Sequence, residues 1–161
     1  MNLMKNHDPF TIIVDTREQL PWEFGAHTTS RQKLDTGDYS IEGLENLLCI
    51  ERKQSVSEVA NNITEKRFPS FLERMSEIPH RFMLFEFDLD DVYNFPVGSD
   101  IPKRLWEKLR VSNNYILKMI MSFHVKYGIH TIFCGDSDNA EKMAVRIMRS
   151  VYDKYKQQLD I

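Results

Sequence analysis

The sequence predicts an α/β sandwich built on a mixed sheet, and three observations carry that expectation. Short apolar runs at residues 10–15 (FTIIVD), 47–53 (LLCIERK), 81–87 (RFMLFEF) and 129–134 (IHTIFC) have strand length and β-branched or aromatic content. From residue 55 onward such runs alternate with longer stretches of helical periodicity, the pattern of strands joined by helices. Residues 38–41 and 47–53 are separated only by a turn containing Gly43, so they are antiparallel neighbours and the sheet is mixed.

Taken in order, residues 1–9 are polar, carry Pro9 and are expected to be loose. Residues 10–15 form a buried strand ending at Asp15. Residues 16–36 hold Pro21, Gly25 and many polar side chains and read as loop. The 38–41 strand, a 42–46 turn and the 47–53 strand follow. A helix is expected from Ser55 to about residue 63, with Ser55 and Glu58 as a capping box. A second spans about 68–78, with Pro69 in its first turn and Phe71, Leu72 and Met75 on its apolar face. After the 81–87 strand, residues 89–96 are a short helix or loop closed by Pro96. Helices are expected over 102–110 and 112–126. The latter turns Ile116, Ile120 and Phe123 inward and ends at Gly128. The 129–134 strand is followed by a last helix, capped by Ser137 or Asp138 and running to about residue 156 with Met143, Ile147 and Val151 inward.

At 161 residues the chain is one domain over 10–161 with a short leading tail. No apolar run approaches the roughly 18–20 residues that cross a bilayer, and the start has no apolar signal core. A cytoplasmic, intracellular location is expected. Cys49 and Cys134 each lie in an apolar run, so free thiols are expected rather than a disulfide. No C-x-x-C or H-x-x-x-H spacing suggests zinc. The net charge of −3 excludes holding nucleic acid by bulk charge alone and requires a locally basic surface for any such partner.

The chemistry is concentrated at residues 38–53. Side chains alternate along a strand, so Glu51 and Lys53 share one face and Arg52 points to the other. Three consecutive charges after an apolar run are costly unless they line a cleft. Asp38 begins the antiparallel partner, which brings its carboxylate toward Glu51. Two carboxylates at one site repel unless a cation lies between them. Magnesium binds through one or two carboxylates with waters and phosphate oxygens, and a lysine beside it orients water or offsets charge on a reacting phosphate. This is the equipment of phosphodiester cleavage. A bare E-x-K is common by chance, however, and taken alone reads as a surface ion pair.

The context is more specific. Gly37-Asp38 followed by Glu51-Arg52-Lys53, preceded by Val14-Asp15-Thr16-Arg17-Glu18, resembles the nuclease domain of the ERCC4 group of structure-specific endonucleases, the group that includes XPF, within the PD-(D/E)xK superfamily. Lys66-Arg67-Phe68 resembles the group's Gly-Arg-hydrophobic element with the glycine replaced, and Met83-Leu84-Phe85-Glu86 its apolar strand ending in Glu. The resemblance runs from about residue 10 to 151. It implies a restriction-endonuclease-like α/β/α sandwich and an endonuclease of DNA repair or recombination, dependent on Mg²⁺ with Mn²⁺ as substitute, cutting branched or flapped DNA. It implies Asp38, Glu51 and Asp15 as metal ligands, Lys53 as the catalytic lysine and Arg52 with the catalytic group. Arg17, Glu18 and Arg67 would support the site or contact phosphate. Two departures stand out. The Asp that closes the group's E-R-K-x-x-x-D pattern is Ser57 here, and no helix-hairpin-helix module follows. Alternatives are a non-catalytic DNA-binding or partner-binding subunit of the same fold, a four-way-junction resolvase and a general duplex nuclease.

Two basic stretches are candidates for contact with DNA: Arg31 and Lys33 in the loop before Gly37, and Lys103, Arg104, Lys108 and Arg110 within 103–126. Each also reads as a solvated face. Glu86, Asp88, Asp90 and Asp91 form an acidic cluster that reads as a solvated helix start, with a second metal site as the alternative. Phe123, Tyr127, Tyr152 and Tyr155, in the last two helical stretches, are candidates for a homodimer face, with a core role as the competing reading for Phe123.

Overall fold

The computed structural model describes residues 8–159; the expected loose tail over 1–9 therefore falls mostly outside the described residues. The strands are β1 (Ile12–Asp15), β2 (Thr29–Gln32), β3 (Tyr39–Ile41), β4 (Leu48–Lys53), β5 (His80–Phe85) and β6 (His130–Phe133). The helices are α1 (Val56–Asn62), α2 (Phe68–Ser76), α3 (Leu89–Asn94), α4 (Asn113–Val125) and α5 (Ser137–Leu159), with a 3-10 helix at Lys103–Lys108.

The strands form one sheet in the order β2-β1-β3-β4-β5-β6. β3 is antiparallel to both β1 and β4, whereas β4, β5 and β6 run parallel, with β5 and β6 each reached by a helical crossover. Alternation on β4 sorts its residues between two cores. Cys49 packs with residues of α1, α2 and α4, and Leu48 and Ile50 pack with Ala140, Ala144, Ile147 and Met148 of α5. The result is the expected α/β/α sandwich. Each large apolar side chain buried this way contributes about 1.5–3 kcal/mol before entropy is counted. The packing on both faces fixes the end of β4 from which Glu51, Arg52 and Lys53 project.

Five local expectations change. Residues 29–32 form an edge strand pairing only with β1, where loop was expected. Residues 103–108 form a 3-10 rather than an α-helix. Ser55 caps α1 as expected, its hydroxyl accepting from the Glu58 N–H, but the Glu58 carboxylate accepts from Gln54 N and not from the cap residue. The start of α5 is tied by Asp136, whose carboxylate accepts from Asn139 N at 2.7 Å, rather than by Ser137 or Asp138. Phe123 and Tyr127, expected on a dimer face, are buried in the α4-side core. Tyr152 packs against Phe10 with the rings tilted, and the Tyr155 hydroxyl bonds the His80 ring at 2.7 Å.

Candidate active site

Three acidic residues lie on adjacent strands at one end of the sheet. Asp15 ends β1, Asp38 precedes β3 and Glu51 lies on β4. The backbone locks their relative positions: Asp15 N donates to Asp38 O (2.8 Å), and Asp38 N donates to Ile50 O (2.9 Å). Gly37 makes the approach to β4 possible. Its φ is +92°, a region L side chains rarely adopt, and a Cβ there would lie 2.5 Å from Cys49 Sγ. Gly37→Ala is expected to cost about 1–3 kcal/mol in urea denaturation; an unchanged midpoint would show that neither the backbone angle nor the sulfur constrains this turn.

Asp38 Oδ2 accepts from Arg52 N at 2.8 Å, and its carboxyl is in hydrogen-bonding contact with that of Glu51. Burial, and then the Glu51 charge, push the Asp38 carboxyl well above the usual carboxylate range. Glu51 is only 8% exposed and is also raised, by burial. A second carboxyl buried beside the first disfavours ionisation of the pair, and a cation between them relieves this. Lys53, 6% exposed, lies on the same face, with Nζ 3.5 Å from Glu51 Oε1 and 3.7 Å from Glu58 Oε1. The rings of Phe68 and Phe71 flank the ammonium at 5.8 and 5.9 Å. Burial alone would lower the Lys53 ammonium, but Glu51, Glu58 and Asp38 together hold it above its ordinary value. In the metal-free structure this favours the charged ammonium. Glu58 escaped the sequence reading as a site residue because its position in the first turn of α1 reads as a cap.

The donor set suits a hard divalent cation. Asp38 and Glu51 offer oxygen ligands, and their mutual repulsion is what such an ion relieves. Among the described residues no three His, Cys, Asp or Glu side chains converge closely enough to hold a metal. Two carboxylates, completed by water and phosphate oxygens, remain a sufficient magnesium set.

The Asp15 carboxylate, expected among the metal ligands, is engaged by its neighbours in the metal-free structure. Its Oδ1 accepts from Leu34 N (2.8 Å) and its Oδ2 from Arg17 Nε (2.7 Å). Burial would raise its pKa, but these bonds hold it below the ordinary value. Arg17 also donates to Leu34 O, so the pair staples the 34–38 loop beside Asp38. Arg52, expected with the catalytic group, is divided between two faces. Its backbone N–H belongs to the site, but its side chain points to the opposite face. There Nε donates to Glu86 Oε2 at 2.7 Å, Nη1 donates to Leu20 O at 2.8 Å, and the guanidinium sits 5.0 Å above the Trp22 ring. Trp22 Nε1 donates to the same Glu86 oxygen, and Glu18 accepts from the Tyr39 hydroxyl. Glu86 thus leaves the acidic cluster with which the sequence grouped it. Asp88 and Asp91 do start a helix, Asp91 accepting from Asp88 N.

Asp15, Arg17, Glu18, Asp38 and Glu51 line one cleft of about 270 Å³, together with Phe71 and Arg74 of α2. Arg67 is exposed at the start of α2 and does not line this cleft. Arg31 is committed to Thr16 O and Glu18 O, bracing the 16–18 turn, and Lys33 is exposed beside a neighbouring depression. Lys103, Arg104, Lys108 and Arg110 are exposed outside the cleft. The loop leading to them is joined to the catalytic side by Ser57 Oγ donating to Asp100 Oδ1 at 3.1 Å. Ser57, the departure from the acidic pattern, therefore holds a neighbouring loop. No helix among the described residues is long and apolar enough to cross a membrane.

Residues 14–147 match the ERCC4 domain family model. The fold is similar to that of XPF from Aeropyrum pernix, with a TM-score of 0.66 at 17% identity over 93% of this chain and 69% of that one. It is similar again to XPF from Aeropyrum pernix in complex with DNA, with a TM-score of 0.65 at 17% identity over 90% and 66% of the two chains. A comparison with curated proteins returns no match.

Proposed function

The chain belongs to the ERCC4 domain family, and on that premise we propose that it is a Mg²⁺-dependent endonuclease hydrolysing a phosphodiester bond in branched or flapped DNA. The observation that carries this reading is the buried pairing of Asp38 with Glu51, with Lys53 held charged on the same strand face. A bound divalent ion supplies Lewis acidity and a water of lowered pKa. Asp38 and Glu51 would hold it. Lys53 keeps its proton and offsets the negative charge that grows on the phosphate as water attacks in line with the departing oxygen. Glu58 fixes the ammonium from the second side, and the two phenyl rings exclude water from around it. Asp15 and Arg17 keep the 34–38 loop in place so that Asp38 does not swing away. Lys103, Arg104, Lys108 and Arg110 would hold a duplex arm outside the cleft, giving the local attraction that the net charge lacks.

The test is cleavage of labelled fork, flap, four-way junction, linear duplex and single strand with Mg²⁺, Mn²⁺ or EDTA, beside Lys53→Ala. Cutting of forks or flaps only with metal, slowed about 10²-fold by Lys53→Ala, is the expected result. Cutting in EDTA, or full activity in the variant, contradicts the mechanism. Binding of every substrate with cutting of none would instead identify a non-catalytic DNA-binding subunit. Preference for four-way junctions or plain duplex would change the substrate class and leave the chemistry intact.

A further inference from the structure

Phosphate drawn into an acidic cleft needs an uncommitted cation on the wall, and the cations around this site are mostly spent. Lys53 is paired with Glu51 and Glu58, and Arg52 with Glu86. Arg17 is divided between Asp15 and Leu34 O. Arg74 differs. It lies in the last turn of α2, lines the same cleft as Arg17, and makes no ion pair or side-chain hydrogen bond with any of the described residues. An arginine there also offsets the partial negative charge of the helix end, a role that needs no ligand. That role is met by any position in the last turn, whereas only a position on the cleft wall shares a lining with Asp38 and Glu51.

We infer that Arg74 grips a phosphate of the substrate strand next to the bond being cut, by a two-pronged guanidinium contact in the cleft it shares with Arg17. The inference rests on the nuclease reading and assigns it a substrate-binding residue. The guanidinium fork matches two phosphate oxygens in a way a lysine does not. The contact is local. The adjoining depression shares Asp35, Thr36 and Arg74 with the cleft and adds Lys33, but it also holds Glu45 and Glu77. Mixed charge of this kind does not carry a phosphate track further, so one phosphate is held and the strand leaves the surface.

The test measures DNA binding by fluorescence anisotropy across a series of salt concentrations, with flap DNA and Mg²⁺. The host is the Asp38→Asn protein, which keeps the substrate intact. Adding Arg74→Ala should weaken binding several-fold and lower the slope of log K against log salt by about 0.7–0.9, the loss of one phosphate contact. Lys142→Ala, on α5 in the opposite helical layer, should leave the slope unchanged. Arg74→Lys should recover the slope but not the full affinity, which separates a phosphate contact from a helix-end charge. A slope unaltered by Arg74→Ala overturns the inference, even where the unmodified protein cuts DNA. Binding with the expected slope change but no cutting by the unmodified protein upholds Arg74 and removes the nuclease reading. Absence of any DNA binding removes both.

Discussion

Replacing Asp38 by Asn is expected to slow cleavage on the order of 10³-fold while raising the thermal midpoint of the metal-free protein. Both effects come from one geometry. Asp38 and Glu51 are buried together, and burial with the Glu51 charge raises the Asp38 carboxyl. A carboxyl whose folded pKa lies above its unfolded value favours the fold fully only at pH below the unfolded value, near 3.8. That contribution is lost as pH rises through the raised folded value. At neutral pH the metal-free pair is therefore a source of instability that a divalent ion relieves. Asparagine keeps an oxygen for Arg52 N and gives Glu51 a donor, but it forfeits the charge that attracts the ion. Each kcal/mol of relieved repulsion should raise the midpoint by roughly 2–4 °C. Added Mg²⁺ should raise the midpoint of the unmodified protein and leave that of Asp38→Asn unmoved. Thermal scans at two pH values with and without Mg²⁺ check this; a fall in the metal-free midpoint of Asp38→Asn would mean the carboxylate stabilises the fold.

The largest loss of stability is expected from Arg52→Ala, about 3–5 kcal/mol in urea denaturation. Its guanidinium is 8% exposed and is the partner of buried Glu86. Truncation leaves that carboxylate with only Trp22 Nε1, removes the donor to Leu20 O, and opens space above the Trp22 ring. The cost lies in the stranded charge more than in the lost attraction, so Arg52→Met combined with Glu86→Gln should recover most of it. Glutamine retains an acceptor for Trp22. A double variant as unstable as Arg52→Ala would show that the ion pair itself carries the stability. Because Arg52 N bonds Asp38 Oδ2, the activity of Arg52→Ala should fall with the displacement of the β4 end, although the guanidinium faces away from the site.

The core of the fold and the heart of the site were legible in the sequence for the same reason. β4 is a buried strand ending in three charges, and period-two alternation sorts Glu51 and Lys53 from Arg52 without further information. The same alternation sets Arg52 on the other face of the strand, and the structure turns its side chain to Glu86. β2 was hidden because Thr29–Gln32 is an exposed edge strand that pairs only with β1 and has no apolar face for periodicity to register. The cap of α5 was misplaced by one or two residues because Asp136, Ser137 and Asp138 are all suitable caps, and only backbone geometry chooses among them. Asp15 shows the limit of motif spacing. Spacing brings it beside Asp38, but whether its carboxylate faces an ion or a neighbour depends on where Arg17 and Leu34 N lie, and that is tertiary. Glu58 and Arg74 were missed for the same cause: each has an ordinary helical role in one dimension and reaches the site only through the packing of α1 and α2 against the sheet.

The central claim is that Asp38 and Glu51 together hold a divalent cation, and calorimetric titration of the protein with Mn²⁺ tests it most directly. The account predicts saturable binding of one ion per chain, lost in Asp38→Asn and in Glu51→Gln and retained in Arg74→Ala. Binding unaffected by either carboxyl substitution, or no binding to the unmodified protein with and without DNA, would contradict it.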